Sequence, residues 1–156
     1  MQSPTVPGRP PTTGLRPAVA AGARSTATAR RFPATAASVG QARRFLLDRL
    51  PAGSADAADA LVLMLSELAT NAVRHAATEY EVTVRVSDEA GRVRVEVCDA
   101  AGGYPTPQDQ AGDAPHGRGL HIVRTLADAW GVDMRRDRPG KTVWFSSTLP
   151  AGDEAS

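Results

Sequence analysis

Glu67, Asn71 and His75 follow one another at intervals of four residues in a segment that is otherwise largely apolar. In an α-helix this spacing places side chains above one another on one face. A glutamate and an asparagine side by side offer a base and oxygen ligands, and magnesium takes oxygen ligands while keeping several waters. The same spacing is common on solvated helix faces, so the pattern alone leaves both interpretations open.

Asp99 ends a run in which Val93, Val95 and Val97 alternate with other residues, and it shares their parity. We therefore expect its carboxylate on the core side of a strand, where an unpaired charge costs several kcal/mol. It needs a donor, for which an adenine amino group would serve, or a place at the open end of the sheet. A turn-initiating aspartate is the equally weighted alternative.

Two glycines flank Arg118 in the stretch His116-Gly117-Arg118-Gly119-Leu120, at the predicted start of a helix. Glycines there let backbone N–H groups approach phosphate oxygens, and the helix dipole favours the anion. A lone Gly-x-Gly also fits a flexible loop end. The chain has neither a P-loop sequence nor a dinucleotide-binding glycine fingerprint.

A fourth segment, Gly140 to Phe145, reads Gly-Lys-Thr-Val-Trp-Phe. Thr142 in such a late strand would be able to reach a base or a water. By itself the segment is simply β-favouring.

Hydrophobic periodicity predicts the elements that position these residues. We expect strands over 25–32, 81–87, 92–99 and 141–149, and helices over 35–50, 57–77 and 119–130. Thr35 and Asp56 are the predicted caps of the first two helices. Residues 100–118 form a long loop rich in glycine and proline, which is typical of a functional or disordered segment. The order predicts an α+β two-layer sandwich, with a mixed or antiparallel sheet and helices on one face.

The length of 156 residues indicates one domain. Residues 1–24 have few large apolar side chains, so we expect a disordered basic tail, a folded domain over 25–149 and a C-terminal tail over 150–156. A net charge of +1 gives no field that favours nucleic acid or an anionic membrane. No apolar run reaches the ~18 residues of a membrane span. The single cysteine, Cys98, fits a reducing, cytoplasmic compartment.

Together and in order, the four segments resemble the GHKL (Bergerat fold) ATP-binding family. Within it, the chain most resembles the stand-alone anti-sigma-factor serine kinases of the RsbW kind. Glu67 to Ala76 matches the N box, Asp99 to Gly103 the first glycine box, Gly117 to Leu120 the second, and Gly140 to Phe145 the last strand. The likeness covers residues 25–149, and the N box is its specific part.

The resemblance implies a role for each matching side chain. Asn71 would ligate Mg²⁺. Asp99 would bind the adenine amino group, and Thr142 would support that contact. Glu67 would be the catalytic base that takes a proton from the acceptor hydroxyl.

The resemblance also implies a lid over the phosphates, formed by residues 102–119. Backbone amides of Gly117, Gly119 and Leu120 would contact ATP, and the remaining cofactor-binding positions are Arg74, Gly103 and Arg118. One position departs from the family pattern of Asp-x-Gly-x-Gly, because Ala101 replaces the first glycine. A methyl group there would crowd the adenine edge or change the hinge of the lid.

The implied function is a serine/threonine protein kinase of the anti-sigma-factor type. It would use Mg-ATP to phosphorylate a small antagonist of the anti-anti-sigma type, with a sigma factor as second partner. Whether the chain forms a homodimer is left open by the resemblance. The alternatives are a non-catalytic ATP-dependent module that sequesters its partner, and a detached histidine-kinase ATPase domain.

Overall fold

The computed structural model describes residues 25–76, 78–87, 91–100, 119–137 and 139–150. The elements follow one another as β1 (Ser25–Phe32), α1 (Ala36–Leu47), α2 (Ala55–Asn71), a π-helical turn (Ala72–Ala76), β2 (Tyr80–Ser87), β3 (Arg92–Asp99), α3 (Gly119–Leu126), β4 (Ala129–Met134) and β5 (Lys141–Thr148). Residues 1–24, the segment 101–118 and residues 151–156 lie outside the described part, which therefore includes only Gly119 of the predicted lid and only Pro150 of the predicted tails.

The strands form one five-stranded sheet in the order β1-β2-β3-β5-β4. Every neighbouring pair in it is antiparallel. The hairpin of β2 and β3 places Val84 opposite Val95 and Val82 opposite Val97, so the alternating valines share one face. The predicted α+β class is thereby confirmed, and the sheet is antiparallel throughout its described strands.

One hydrophobic core lies between that face of the sheet and the helices. The buried residues of α2 recur at helical spacing and are Leu61, Met64, Leu65, Leu68 and Ala69. They share a single cluster with the strand valines and with Val123 of α3. Each buried aliphatic side chain contributes about 1.5–3 kcal/mol. The helices therefore cover one face of the sheet, as the periodicity predicts.

Thr35 caps α1 as the sequence predicts, because its Oγ accepts a hydrogen bond from the N–H of Ser38. The predicted cap of the second helix is wrong. That helix begins at Ala55, and the residue before it is Ser54, whose hydroxyl donates to the carbonyl of Pro51 rather than capping the helix. Asp56 lies in the first turn, where a negative charge interacts favourably with the helix dipole.

The third helix ends at Leu126, earlier than predicted, and Trp130 belongs to β4. Asp128 explains the early end, because its N–H donates to Ser146 and its carboxylate accepts from the N–H of Thr148. Gly131 is then a strand residue beneath Trp144, where an added Cβ would lie 2.8 Å from the indole ring.

No helix in the described ranges has the length and apolarity required to cross a membrane.

Candidate functional site

The C-terminal half of α2 presents two polar side chains beside its buried face. Leu68 and Ala69 are buried against the sheet, whereas Glu67 and Asn71 are half-buried. A half-buried position holds a side chain in place while leaving part of it open to a ligand. Asn71 is also the last residue of the α-helical segment.

The chain continues from Asn71 into a π-helical turn, Ala72–Ala76, instead of the regular α-helix that the sequence predicts to residue 77. Hydrogen bonds in such a turn run from i to i+5. His75 is exposed there, whereas Glu67 and Asn71 are half-buried. Arg74 is exposed in the same turn. Turns of this kind occur frequently at functional sites.

Asp99 lies at the end of β3 with its side chain only 6% exposed, on the core side that its parity predicts. Lys141, the first residue of β5, is directly opposite it in the sheet register. The ammonium Nζ lies 3.6 Å from Oδ2 of Asp99, and the lysine side chain is 12% exposed. A buried carboxylate is stabilised by a neighbouring opposite charge of this kind.

Gly140 holds the two strands close together at this point. Its φ of 146° is a conformation that side-chain-bearing residues rarely adopt. A Cβ at Gly140 would lie 2.6 Å from the carbonyl oxygen of Asp99 and 2.9 Å from Cδ of Arg135. Only glycine fits here without a shift of the backbone. The absence of a side chain at Gly140 therefore lets the start of β5 approach the backbone of Asp99.

Thr142 lies elsewhere than the resemblance implies. It is opposite Cys98, and side chains alternate along a strand, so it belongs to the sheet face away from Asp99. Its neighbour on that outer face is Trp144, whose ring centroid lies 4.0 Å from the guanidinium carbon of Arg94. The residue beside Asp99 is Lys141. The sequence contains the signal that identifies it, because Lys141 has the same parity in the strand as the core residues Val143 and Phe145. Matching the segment to the family motif does not use this alternation.

The elements that carry these residues are neighbours. The π-helical turn after Asn71 packs against β3, the strand that ends at Asp99, and α2 packs against both β3 and α3. Leu120, in the first turn of α3, packs partly buried against the core. Gly119 begins that helix. Gly103, Gly117 and Arg118, together with Ala101, lie outside the described residues.

In the described ranges, no three His, Cys, Asp or Glu side chains come together as a metal-binding group. The Asn71 amide at the end of α2 is one oxygen donor of the candidate site. One amide oxygen fits magnesium, which completes its octahedral shell with waters and phosphate oxygens.

The profile of the histidine kinase-like ATPase domain family matches residues 32–147. The chain belongs to this family, and the predicted GHKL resemblance is confirmed. The matched range begins at Phe32, where β1 enters the core, and ends inside β5. No curated protein sequence matches the chain significantly.

Among solved structures, the chain is similar to that of the RsbU and RsbW domains of Rv1364c from Mycobacterium tuberculosis, with a TM-score of 0.60 and 18% identity. The similarity covers 80% of this chain and 32% of that one, so this chain spans about a third of its length. The histidine kinase domain of a blue-light-activated kinase from Erythrobacter litoralis EL346 also matches, at 22% identity and a TM-score of 0.43, over 76% of this chain and 62% of that one. The first similarity supports the fold.

Proposed function

We propose that the protein is an ATP-binding serine/threonine protein kinase of the anti-sigma-factor type, acting in the cytoplasm on a small anti-anti-sigma antagonist. A sigma factor is the proposed second partner. The observation that carries the proposal is the buried carboxylate of Asp99 at a strand end, next to the element that follows Asn71, in a member of an ATPase family. The fold that it shares with a chain containing an RsbW domain supports the kinase type.

In this proposal Asp99 accepts a hydrogen bond from the adenine amino group. Asn71 supplies an oxygen ligand for Mg²⁺, which neutralises phosphate charge when bound. Arg74 and Arg118 provide further positive charge, and the backbone N–H groups of Gly103, Gly117, Gly119 and Leu120 contact the phosphates. Phosphoryl transfer depends mainly on such positioning and charge stabilisation.

Glu67 is the proposed base, because it lies one helical turn before Asn71 and is half-buried. Its carboxylate takes the proton from the acceptor hydroxyl as that oxygen forms a bond to the γ-phosphorus of ATP. The bond between the γ-phosphorus and the bridging oxygen breaks, and ADP leaves with the electron pair. The products are ADP, a phosphorylated antagonist and a proton on Glu67.

Calorimetric titration with ATP in the presence and absence of magnesium tests the site. We expect Asn71→Ala to lose the magnesium-dependent part of the affinity, a decrease of about tenfold or more, since a metal ligand is removed. Thr70→Ala, at the adjacent half-buried position of the same helix, is the matched control and should bind as the wild type does. Magnesium-dependent affinity that Asn71→Ala leaves unchanged would contradict the assignment.

A further inference from the structure

We propose that Lys141 is a second reader of the nucleotide base, in addition to Asp99. Its ammonium donates to the ring nitrogen N1 of adenine while Asp99 accepts from the neighbouring amino group. This inference rests on the proposed function, because it assigns base recognition within the same nucleotide site.

The sheet register places the two groups side by side. Asp99 and Lys141 are directly opposite each other across β3 and β5, and such pairs project on the same face of an antiparallel sheet. The oxygen of one and the nitrogen of the other are 3.6 Å apart. The pair thus presents a hydrogen-bond acceptor next to a donor, at the edge of the sheet where β3 ends and β5 begins.

Adenine carries the complementary pair on one edge, because its amino group is a donor and the adjacent N1 is an acceptor. A lysine ammonium has three donors, so Lys141 can interact with the carboxylate and still donate to a base. Hydrogen bonds that involve a charged group are shorter and stronger than neutral ones. The two side chains together therefore specify a donor followed by an acceptor, whereas the carboxylate alone specifies only a donor.

The backbone around Lys141 fixes where the ammonium can reach. Gly140 lies against the carbonyl of Asp99 with no room for a Cβ, and its own carbonyl accepts from the N–H of Arg135. On its other side, Lys141 is opposite Met134 of β4. With its side chain 12% exposed, the lysine is enclosed between two strands rather than extended into solvent.

Replacing N1 of the base by a C–H group tests the contact directly. Calorimetry should compare ATP with 1-deaza-ATP on the wild type and on Lys141→Met, which removes the donors but keeps a long aliphatic side chain. We expect the wild type to prefer ATP by about 10- to 100-fold, the range of one hydrogen bond to a charged group. In Lys141→Met that preference should fall to about onefold, because the remaining groups do not contact N1.

The preference between the two nucleotides distinguishes base recognition from a role in which Lys141 only neutralises Asp99. In that second case, Lys141→Met would change the affinities for ATP and 1-deaza-ATP by the same factor. Equal affinities in the wild type, or an undiminished preference in Lys141→Met, would overturn the inference and leave the proposed function in place. Tighter ATP binding by Lys141→Met would show that the lysine blocks the base, with the same consequence. A wild type that binds neither nucleotide would refute the proposed function as well.

The wild-type protein offers a measurement that does not depend on the folding of a variant. With ATP labelled with nitrogen-15 at N1, a hydrogen bond from Lys141 should move the N1 resonance upfield on binding. An N1 shift in the complex equal to that of free ATP would refute the contact.

Discussion

Glu67 and Asn71 occupy adjacent turns of the same helix face, and each is half-buried. In the proposed function, a base at this position takes the proton of a hydroxyl that is presented to the γ-phosphate. The two residues therefore divide the proposed chemistry, with nucleotide binding assigned to position 71 and proton transfer to position 67.

We predict that Glu67→Gln lowers the rate of phosphate transfer to the antagonist by about 10²- to 10⁴-fold, the usual contribution of a general base. The affinity for Mg-ATP should stay close to that of the wild type, because the amide keeps the shape of the side chain. Labelled ATP and single-turnover kinetics measure the first quantity, and calorimetry measures the second. Glu79→Gln, at an exposed position after the helix, should change neither.

Transfer that proceeds equally fast in Glu67→Gln would remove Glu67 from the mechanism. ATP binding without transfer by the wild type, given an antagonist that binds it, would instead favour the non-catalytic sequestering module. Ala101 in place of a family glycine makes this second outcome worth measuring.

For single residues, alternation along a strand predicts the position of a side chain better than similarity to a motif does. The alternation of Val93, Val95 and Val97 predicts the buried position of Asp99, because side chains on a strand alternate strictly. The motif comparison selected Thr142 as its companion, whereas the register places Lys141 there. Motif comparison aligns residue types, but only the face of the strand decides which side chains meet.

Among the elements, α1 is attached to the sheet by a buried polar contact. The hydroxyl of Ser38 donates to the carbonyl of Thr35 and lies 2.7 Å from the hydroxyl of Tyr80 on β2. The ring of Tyr80 also stacks on that of Phe32, with their centroids 5.6 Å apart. The start of α1, the end of β1 and the start of β2 are thereby joined at one point.

Burial raises the pKa of Tyr80 above its ordinary value of 10.0, and the hydrogen bond with Ser38 opposes this rise. The folded protein thus binds the phenolic proton more tightly than the unfolded chain does. This stabilisation is fully present below pH 10.0 and is lost as the pH rises through the higher folded pKa. We predict that the free energy of unfolding, measured in urea, is unaffected by this group below pH 10.0 and decreases as the pH rises above that value.

Tyr80→Phe is the variant that isolates this effect. It should be less stable than the wild type at neutral pH by about 0.5–1.5 kcal/mol, because Ser38 loses a hydrogen-bond partner. Its stability should decrease less steeply in the alkaline range, since the titrating phenol is gone. An alkaline slope as steep in Tyr80→Phe as in the wild type would contradict the assignment.

The ends of the helices were harder to predict than the existence of the elements. The two alternating runs around Gly91 predict the hairpin of β2 and β3, which the structure contains with the bounds of β3 as predicted. The end of α3 depends on Asp128, whose partners Ser146 and Thr148 are distant in sequence. The π-helical turn after Asn71 packs against β3, and no local sequence pattern records this contact between elements.

For the molecule as a whole, the core sets the limits of the folded domain. Phe32 and Leu149 are the first and last residues of the described core, at 1% and 7% exposure. The N–H of Leu149 also donates to the carbonyl of Gly91, so the chain beyond β5 is bonded to the turn before β3. A unit of residues 25–150 therefore contains every buried apolar contact of the described structure.

We predict that a chain of residues 25–150 has the thermal midpoint and ATP affinity of the whole protein. Leu149→Ala in this shorter chain should lower the free energy of unfolding by about 2–4 kcal/mol, as expected for a buried leucine. Leu126→Ala is the matched control, because Leu126 is 42% exposed and its truncation should cost far less. Equal losses from the two substitutions would contradict the place of Leu149 in the core, and a destabilised 25–150 chain would show that the domain extends further.

The π-helical turn Ala72–Ala76 holds one residue more than an α-helical turn of the same path would. Removing one residue from it would give an ordinary helix and leave the orientation of the chain that follows unchanged. A deletion within the α-helical part of α2 would instead rotate the rest of the helix by about 100° and turn Leu68 and Ala69 out of the core. We therefore expect the turn to tolerate shortening by one residue better than the helix that precedes it.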